Sequence, residues 1–274
     1  MADGRMISVL TIVRNRAGHL AQLVEGLRRS IEPPGELIVV DMASEPPIEQ
    51  LDTDFPCHVK RLATEHLPLA EARNLAARHA SFENLLFLDV DCIPTASLIG
   101  TMDQALKQAD ALICAEILYL GPEDARGSWD EKDLAARGKP HAVRNFPEKG
   151  LRAEENPGLF WSLAFGIRRK RFDALGGFDQ AYLGYGGEDT DFGFRATAAG
   201  LPLLFMGGPG AFHQYHPSPD PPLQHFGDIV RNAQLFRARW GFWPMAGWLH
   251  QFEEMGLIAI ERMSLTVLQK PAEH

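Results

Sequence analysis

Leu85-Leu86-Phe87-Leu88-Asp89-Val90-Asp91 runs four apolar residues straight into two carboxylates two positions apart. The unbroken apolar run predicts a buried strand. In extended backbone residues i and i+2 share a face, so Asp89 and Asp91 are expected to converge on one ligand. Paired acidic oxygens leaving a sheet suit a hard divalent cation, Mg²⁺ or Mn²⁺, which in turn holds a diphosphate. An Asp-x-Asp triplet alone is common in surface loops, so the surroundings decide its meaning.

Working outward, residues 7–13 are rich in β-formers and end at Arg14-Asn15-Arg16, and Leu20, Leu23, Val24 and Leu27 then recur at helical spacing. Pro33-Pro34-Gly35 breaks that helix before a second buried strand, 37–40, which ends in Asp41. A weaker strand at 57–62 and an Ala-rich helix at 69–80 carrying Arg73 follow. Beyond the acidic pair come a helix at 97–108 and a strand at 111–118. Strand alternating with helix over short connections predicts a doubly wound, largely parallel α/β sheet. Ligands of such sheets bind beyond the carboxyl ends of the strands, where Arg14, Asp41, Asp89 and Asp91 all fall.

Composition narrows the function classes. A chain of 274 residues, 45% hydrophobic and 23% charged, matches an ordinary soluble globular protein with one large core. Its formal charge of −9 argues against a protein that tracks nucleic-acid phosphates. Cys57, Cys92 and Cys114 fit no zinc pattern and cannot all pair, which favours a reducing, cytoplasmic setting. No signal-peptide pattern precedes the first strand, and no window of about 18 uninterrupted apolar residues exists to span a bilayer.

The second half is more irregular. Residues 121–157 are polar and broken by Gly and Pro, which reads equally as a lid or as a poorly ordered excursion. Strand character returns at 159–167, before the basic run Arg168-Arg169-Lys170-Arg171, most simply a solvated face. Leu183-Gly184-Tyr185-Gly186-Gly187-Glu188-Asp189-Thr190-Asp191 then leads into a helix. Its glycines permit tight bends and close approach to a ligand, and Tyr185 offers a flat face for a sugar ring. Asp191, with Arg195 at i+4, reads as a helix-terminus acid, whereas Glu188 and Asp189 sit where a general base faces a cleft. A short strand at 203–206 and a turn at 207–210 precede His213 and His216, whose imidazoles beside carboxylates suit Mn²⁺ better than Mg²⁺. The proline-rich 217–222 is a stiff connector, the periodicity of Phe226, Ile229, Val230, Ala233 and Phe236 predicts a helix, and 245–270 reads as one or two further amphipathic helices.

These motifs together resemble metal-dependent family 2 glycosyltransferases with the GT-A fold, especially bacterial relatives of the β-1,4-galactosyltransferases. The residues that carry the resemblance are Arg14-Asn15-Arg16, Asp89-Val90-Asp91, Gly-Gly-Phe-Asp at 176–179, Gly-Tyr-Gly-Gly-Glu-Asp-Thr-Asp at 184–191, and His213. The resemblance implies a GT-A catalytic domain over 1–216, with a nucleotide-binding half at 1–118 and an acceptor half at 159–216. A helical extension over 217–274 would pack on that core. It implies a UDP-sugar donor, a carbohydrate or glycolipid acceptor, Mn²⁺ or Mg²⁺, and inversion at the anomeric carbon. Arg14, Arg16 and Arg73 would lie near the nucleotide and Asp41 would read the uracil. Asp89 would touch ribose and metal, Asp91 and His213 would ligate the metal, and His216 is a second imidazole candidate. Phe160 and Trp161 would line the donor-sugar pocket, Asp189 would be the base, and Glu188 and Tyr185 would bind acceptor. Tyr185 and Leu183 stand where the family usually has Trp, and Thr190 where it often has an acid, which leaves acceptor identity open. The implied setting is the cytoplasm, with peripheral contact at the inner face of the membrane left open. Two rivals share the scaffold: a sugar-phosphate nucleotidyltransferase, for which the basic loop after the first strand is a poor match, and a catalytically silent carbohydrate-binding protein.

Overall fold

Alternation of side chains along each strand builds a core on both faces of one sheet. In β1 (Ile7–Val13), Val9 and Val13 face one side while Leu10 and Ile12 face the other. The computed structural model describes residues 7–271 apart from 65 and 218. Helix α1 (Ala17–Arg28) sets Leu20, Leu23 and Leu27 on the first face. Strands β2 (Glu36–Asp41) and β3 (Cys57–Arg61) add in parallel on one side of β1. Helix α2 (Leu69–His79) covers the second face and leads to β4 (Asn84–Leu88), parallel to β1 on its other side.

The chain then turns instead of extending. The Cys92 amide donates to the Asp89 carbonyl at 2.9 Å, and β5 (Cys92–Pro94) starts at once. Asp89 and Asp91 therefore do not share the face of one strand, as extended backbone predicted. The turn sends Asp89 towards Arg73 and Asp91 towards Arg16.

Helix α3 (Leu98–Gln108) packs on the first face and precedes β6 (Leu112–Tyr119). The 121–157 segment is ordered by sheet pairing, not left as an excursion. It contains α4 (Glu131–Arg137), β7 (Lys139–Pro140) paired with β6, and β8 (Leu151–Glu154). Strand β9 (Ala164–Arg168) inserts antiparallel between β4 and β6. The basic run after it is structural: Arg168 and Arg169 donate to main-chain carbonyls, and Arg171 pairs with Asp110 at 2.6 Å. After α5 (Arg169–Ala174) and α6 (Glu188–Ala198), both on the second face, comes β10 (Leu203–His213).

Strand β10 corrects a second expectation, because residues 207–210 are not a turn. They carry two register shifts within one long strand, parallel to β6 and antiparallel to β8 and β5. A Cβ on Gly210 would lie 2.5 Å from Ala115 Cβ and 2.8 Å from the Glu116 carbonyl, so only glycine fits there. The completed order is β3-β2-β1-β4-β9-β6-β10-β5, parallel in its first half and mixed in its second.

The C-terminal region has its own small core, built from Phe226, Ile229, Phe252 and Leu257 among others. Helices α7 (Phe226–Trp240) and α8 (Ala246–Glu254) were expected in kind, but a hairpin, β11 (Ile258–Ile260) and β12 (Leu265–Val267), replaces the last helical turns. No helix among the described residues is long and apolar enough to cross a membrane.

Asp191 docks this region onto α6. Fully buried, it accepts from Arg195 Nε at 2.7 Å, Arg239 Nη1 at 2.7 Å and Trp240 Nε1 at 2.9 Å. Asp191→Ala removes one acceptor from both Arg195, which keeps the Leu175 and Gly177 carbonyls, and Arg239, which keeps Asp179, and is expected to cost about 2 kcal/mol of unfolding free energy by urea titration. A loss below about 1 kcal/mol would show that the network is not what holds the extension.

Candidate functional site

Strand pairing fixes the first part of the site. His213, the last residue of β10, stands opposite Cys92 on β5 and Tyr119 on β6, which brings it beside Asp91. His213 Nε2 lies 3.6 Å from Asp91 Oδ1, and His216 Nε2 lies 3.4 Å from Oδ2. Arg16 Nη1 donates to Asp91 Oδ2 at 3.0 Å. One donor atom from each of Asp91, His213 and His216 falls within 4.8 Å of the others, a spacing that one divalent cation can bridge. Burial pushes the Asp91 carboxyl up, but His213, His216 and Arg16 outweigh it and hold the group well below the usual carboxylate range. Burial lowers His213, which favours the neutral imidazole that ligates metal. An imidazole–carboxylate set of this kind fits Mn²⁺ better than Mg²⁺.

Asp89 stands outside that trio. Its Oδ1 receives Arg73 Nη2 at 3.3 Å, and Arg73 Nη1 donates to Glu188 Oε1 at 2.9 Å. Arg73 is buried, so a cation inside the protein is clamped between carboxylates from the turn after β4 and from α6. Burial pushes Asp89 up to about 7, with the like charge of Asp91 adding and Arg73 opposing. Glu188 is raised by burial and by Asp189, and its Oε2 is buried with no hydrogen-bond partner among the described residues.

The 184–187 loop before α6 is shaped by glycine. Gly187 caps α6 at φ 91°, a left-handed conformation that other residues resist, and so aims Glu188 and Asp189 from the first turn. Thr190 orients the Asp189 carboxylate by donating to Oδ1 from its amide at 2.7 Å and its hydroxyl at 3.3 Å. Asn232 Nδ2 of α7 braces the loop at the Gly186 carbonyl, 2.7 Å away. Tyr185 is less open than expected. Its ring stacks on His225 at 4.4 Å, so the C-terminal region already covers one face.

Of the residues expected on the nucleotide side, Arg14 lies at the strand end where it was foreseen, whereas Asp41 and Phe160 do not face a pocket. Arg14 borders the carboxyl end of β1 and donates to the His66 carbonyl at 2.6 Å. Asp41 is turned inward, where its oxygens accept from the amides of Ser44 at 2.8 Å and Ile48 at 3.2 Å, an Asx-type brace for the loop after β2. Phe160 is fully buried against Phe165 and Phe192, so it is a core residue and not a pocket wall. Trp161 is part-exposed and does reach the site's margin, meeting His141 edge-on at 4.6 Å. His141 in turn adjoins Tyr119, whose ring lies 5.0 Å from that of His213. Sequence reasoning missed Tyr119, His141 and His19, the last 6.3 Å from His216 by ring centroids. Tyr119 alone carried a signal, as the residue just after the strand predicted at 111–118, which in the structure extends to include it.

A family model described as Glycosyl transferase family 2 matches residues 8–176, and one described as the N-terminal domain of galactosyltransferase matches 152–217. The chain is similar to the hyaluronan synthase of Pasteurella multocida, 23% identical over 239 residues, which are 77% of this chain but only 25% of that protein. Among solved structures it is similar to S. aureus TarS 1-349 in complex with UDP-GlcNAc, with a TM-score of 0.59 and 14% identity over 91% of this chain and 77% of that one. It is also similar to GalNAc-T7 with UDP, GalNAc and Mn²⁺, with a TM-score of 0.58 and 17% identity over 93% of this chain and 55% of that one. At such identities these likenesses concern the fold, which is that of the GT-A glycosyltransferases.

The coupling of Asp89 to Asp91 gives a pH test. Below about 7 Asp89 holds its proton, and above it the added negative charge favours a cation at the neighbouring trio. Mn²⁺ affinity measured by calorimetry is expected to rise on the order of tenfold between pH 6 and pH 8. A flat affinity would mean that Asp89 does not sense the ion.

Proposed function

The chain belongs to glycosyl transferase family 2, and on that footing we propose that it is a metal-dependent, inverting enzyme moving a sugar from a UDP-sugar to an acceptor hydroxyl. The carrying observation is the convergence of Asp91, from the turn between β4 and β5, with His213 and His216, from the end of β10 and the residues after it, to within 4.8 Å of one another. Support for the donor comes from the structural neighbours that hold UDP-GlcNAc, or UDP with Mn²⁺. Family membership sets aside the nucleotidyltransferase reading.

In this reading residues 1–118 hold the nucleotide and 159–216 the acceptor and base, with the C-terminal extension bracing the acceptor side. Asp91, His213 and His216 hold the cation. A cation there would neutralise the charge that develops on the leaving diphosphate. Arg16, paired with Asp91, and Arg14 border the nucleotide, while Asp41 acts on that pocket by fixing its loop. Asp89 and Arg73 link the nucleotide half to the acceptor half through Glu188. Glu188 Oε2, without a hydrogen-bond partner among the described residues, offers an acceptor hydroxyl a hydrogen bond. Asp189, held by Thr190, takes the proton of that hydroxyl as its oxygen attacks the anomeric carbon from the face opposite UDP. A single attack from that face inverts the centre. Tyr185, backed by His225, serves as a one-sided platform for the acceptor.

Asp189→Asn is expected to lower transfer by 10²-fold or more while UDP and Mn²⁺ binding survive. Loss of UDP binding in that variant would make the residue structural. Asp91→Ala is expected to abolish the Mn²⁺-dependent part of UDP binding in a titration. Unchanged Mn²⁺-dependent affinity would refute the metal assignment.

A further inference from the structure

Arg144 is a buried guanidinium with an idle edge. It is 4% exposed, although His141, Ala142, Val143 and Asn145 around it are exposed. Its Nε and Nη2 are buried with no hydrogen-bond partner among the described residues, and no described carboxylate pairs with it. Those two nitrogens form one side of the guanidinium fork, the side that takes a carboxylate through two parallel hydrogen bonds. Phe146 and Trp161 at 5.0 Å and Phe205 at 5.1 Å offset part of the charge but supply no oxygen. A permanent cation buried without a counter-ion is costly, so the missing anion is expected to arrive with a ligand.

The surroundings say which ligand. Trp161 and His141 connect Arg144 to Tyr119 and so to His213 at the proposed metal centre. Burial pushes the Cys114 thiol up, and the Arg144 charge opposes that rise. Arg144 thus stands behind the wall of rings that runs to the cation site, on the side where the proposed function puts the transferred sugar. The diphosphate has its own counter-charges in the cation site and Arg16.

We propose that Arg144 reads a carboxylate on the donor sugar, so that the preferred donor is a nucleotide-activated uronic acid. This rests on the UDP-sugar reading above. Trp161, which is part-exposed, and the exposed 141–145 segment are the parts that must shift to admit the carboxylate.

The test is calorimetric titration of UDP, UDP-glucose and UDP-glucuronate with saturating MnCl₂, the two sugars differing only at C6. Wild-type protein is expected to bind UDP-glucuronate on the order of tenfold more tightly than UDP-glucose. Arg144→Met should erase that gap and leave UDP affinity unchanged, and Arg144→Lys should keep part of it. Equal affinity for the two sugars in the wild type overturns the proposal, and this arm needs no variant to fold. Equal weakening of all three ligands by Arg144→Met overturns it too, placing the guanidinium on the diphosphate instead. If UDP-glucose binds with Mn²⁺ but UDP-glucuronate binds no better, only this inference fails. If none of the three binds, the transferase reading falls and takes this inference with it.

Discussion

The pairing of β10 with both β6 and β5 is the constraint on which the site depends. It sets His213 opposite Cys92 and so next to Asp91. Side chains alternate along a strand, so a slip of one residue would turn His213 away from that carboxylate. The two register shifts between Met206 and Ala211 set the phase of the last three residues. Gly210 makes them possible by letting β10 press against β6, where any side chain would collide with the Glu116 carbonyl. The bulged strand is therefore as much a part of the candidate cation site as the side chains of Asp91, His213 and His216.

A second linkage joins the halves of the molecule. Arg73 of α2 bridges Asp89, at the end of β4, and Glu188, at the start of α6. Burying a guanidinium between two carboxylates gains little over an apolar contact, but breaking it leaves an unpaired charge in the interior. The arrangement thus favours one relative placement of the two acidic clusters. Farther out, Asp191 and Asn232 tie the C-terminal extension to α6 and to the glycine loop, so the extension braces both from behind.

Much of this was legible in the sequence because it follows local pattern. The apolar runs at 7–13, 37–40 and 85–88 and the helical spacing of Leu20, Leu23 and Leu27 gave the α/β sheet. Asp191 read correctly as a helix-terminus acid from its i+4 partner Arg195. The misses are non-local. The insertion of β9 between β4 and β6 depends on partners far away in sequence, and the glycines of 207–210 signal a bulge as readily as a turn. Asp41 and Phe160 lie where a ligand pocket was expected but are consumed by a loop brace and by the core. Arg144 has no sequence signature at all, since its burial among exposed neighbours is decided by three aromatic rings from separate segments.

The central claim is that one ion is held by imidazole and carboxylate together while it grips the diphosphate. Electron–nuclear double resonance on the protein with bound Mn²⁺ and UDP tests it directly. The expected result is ¹⁴N couplings from directly bound histidine and ³¹P couplings from UDP on the same Mn²⁺, with the nitrogen signal reduced in His213→Ala. Phosphorus coupling without any histidine nitrogen would contradict it.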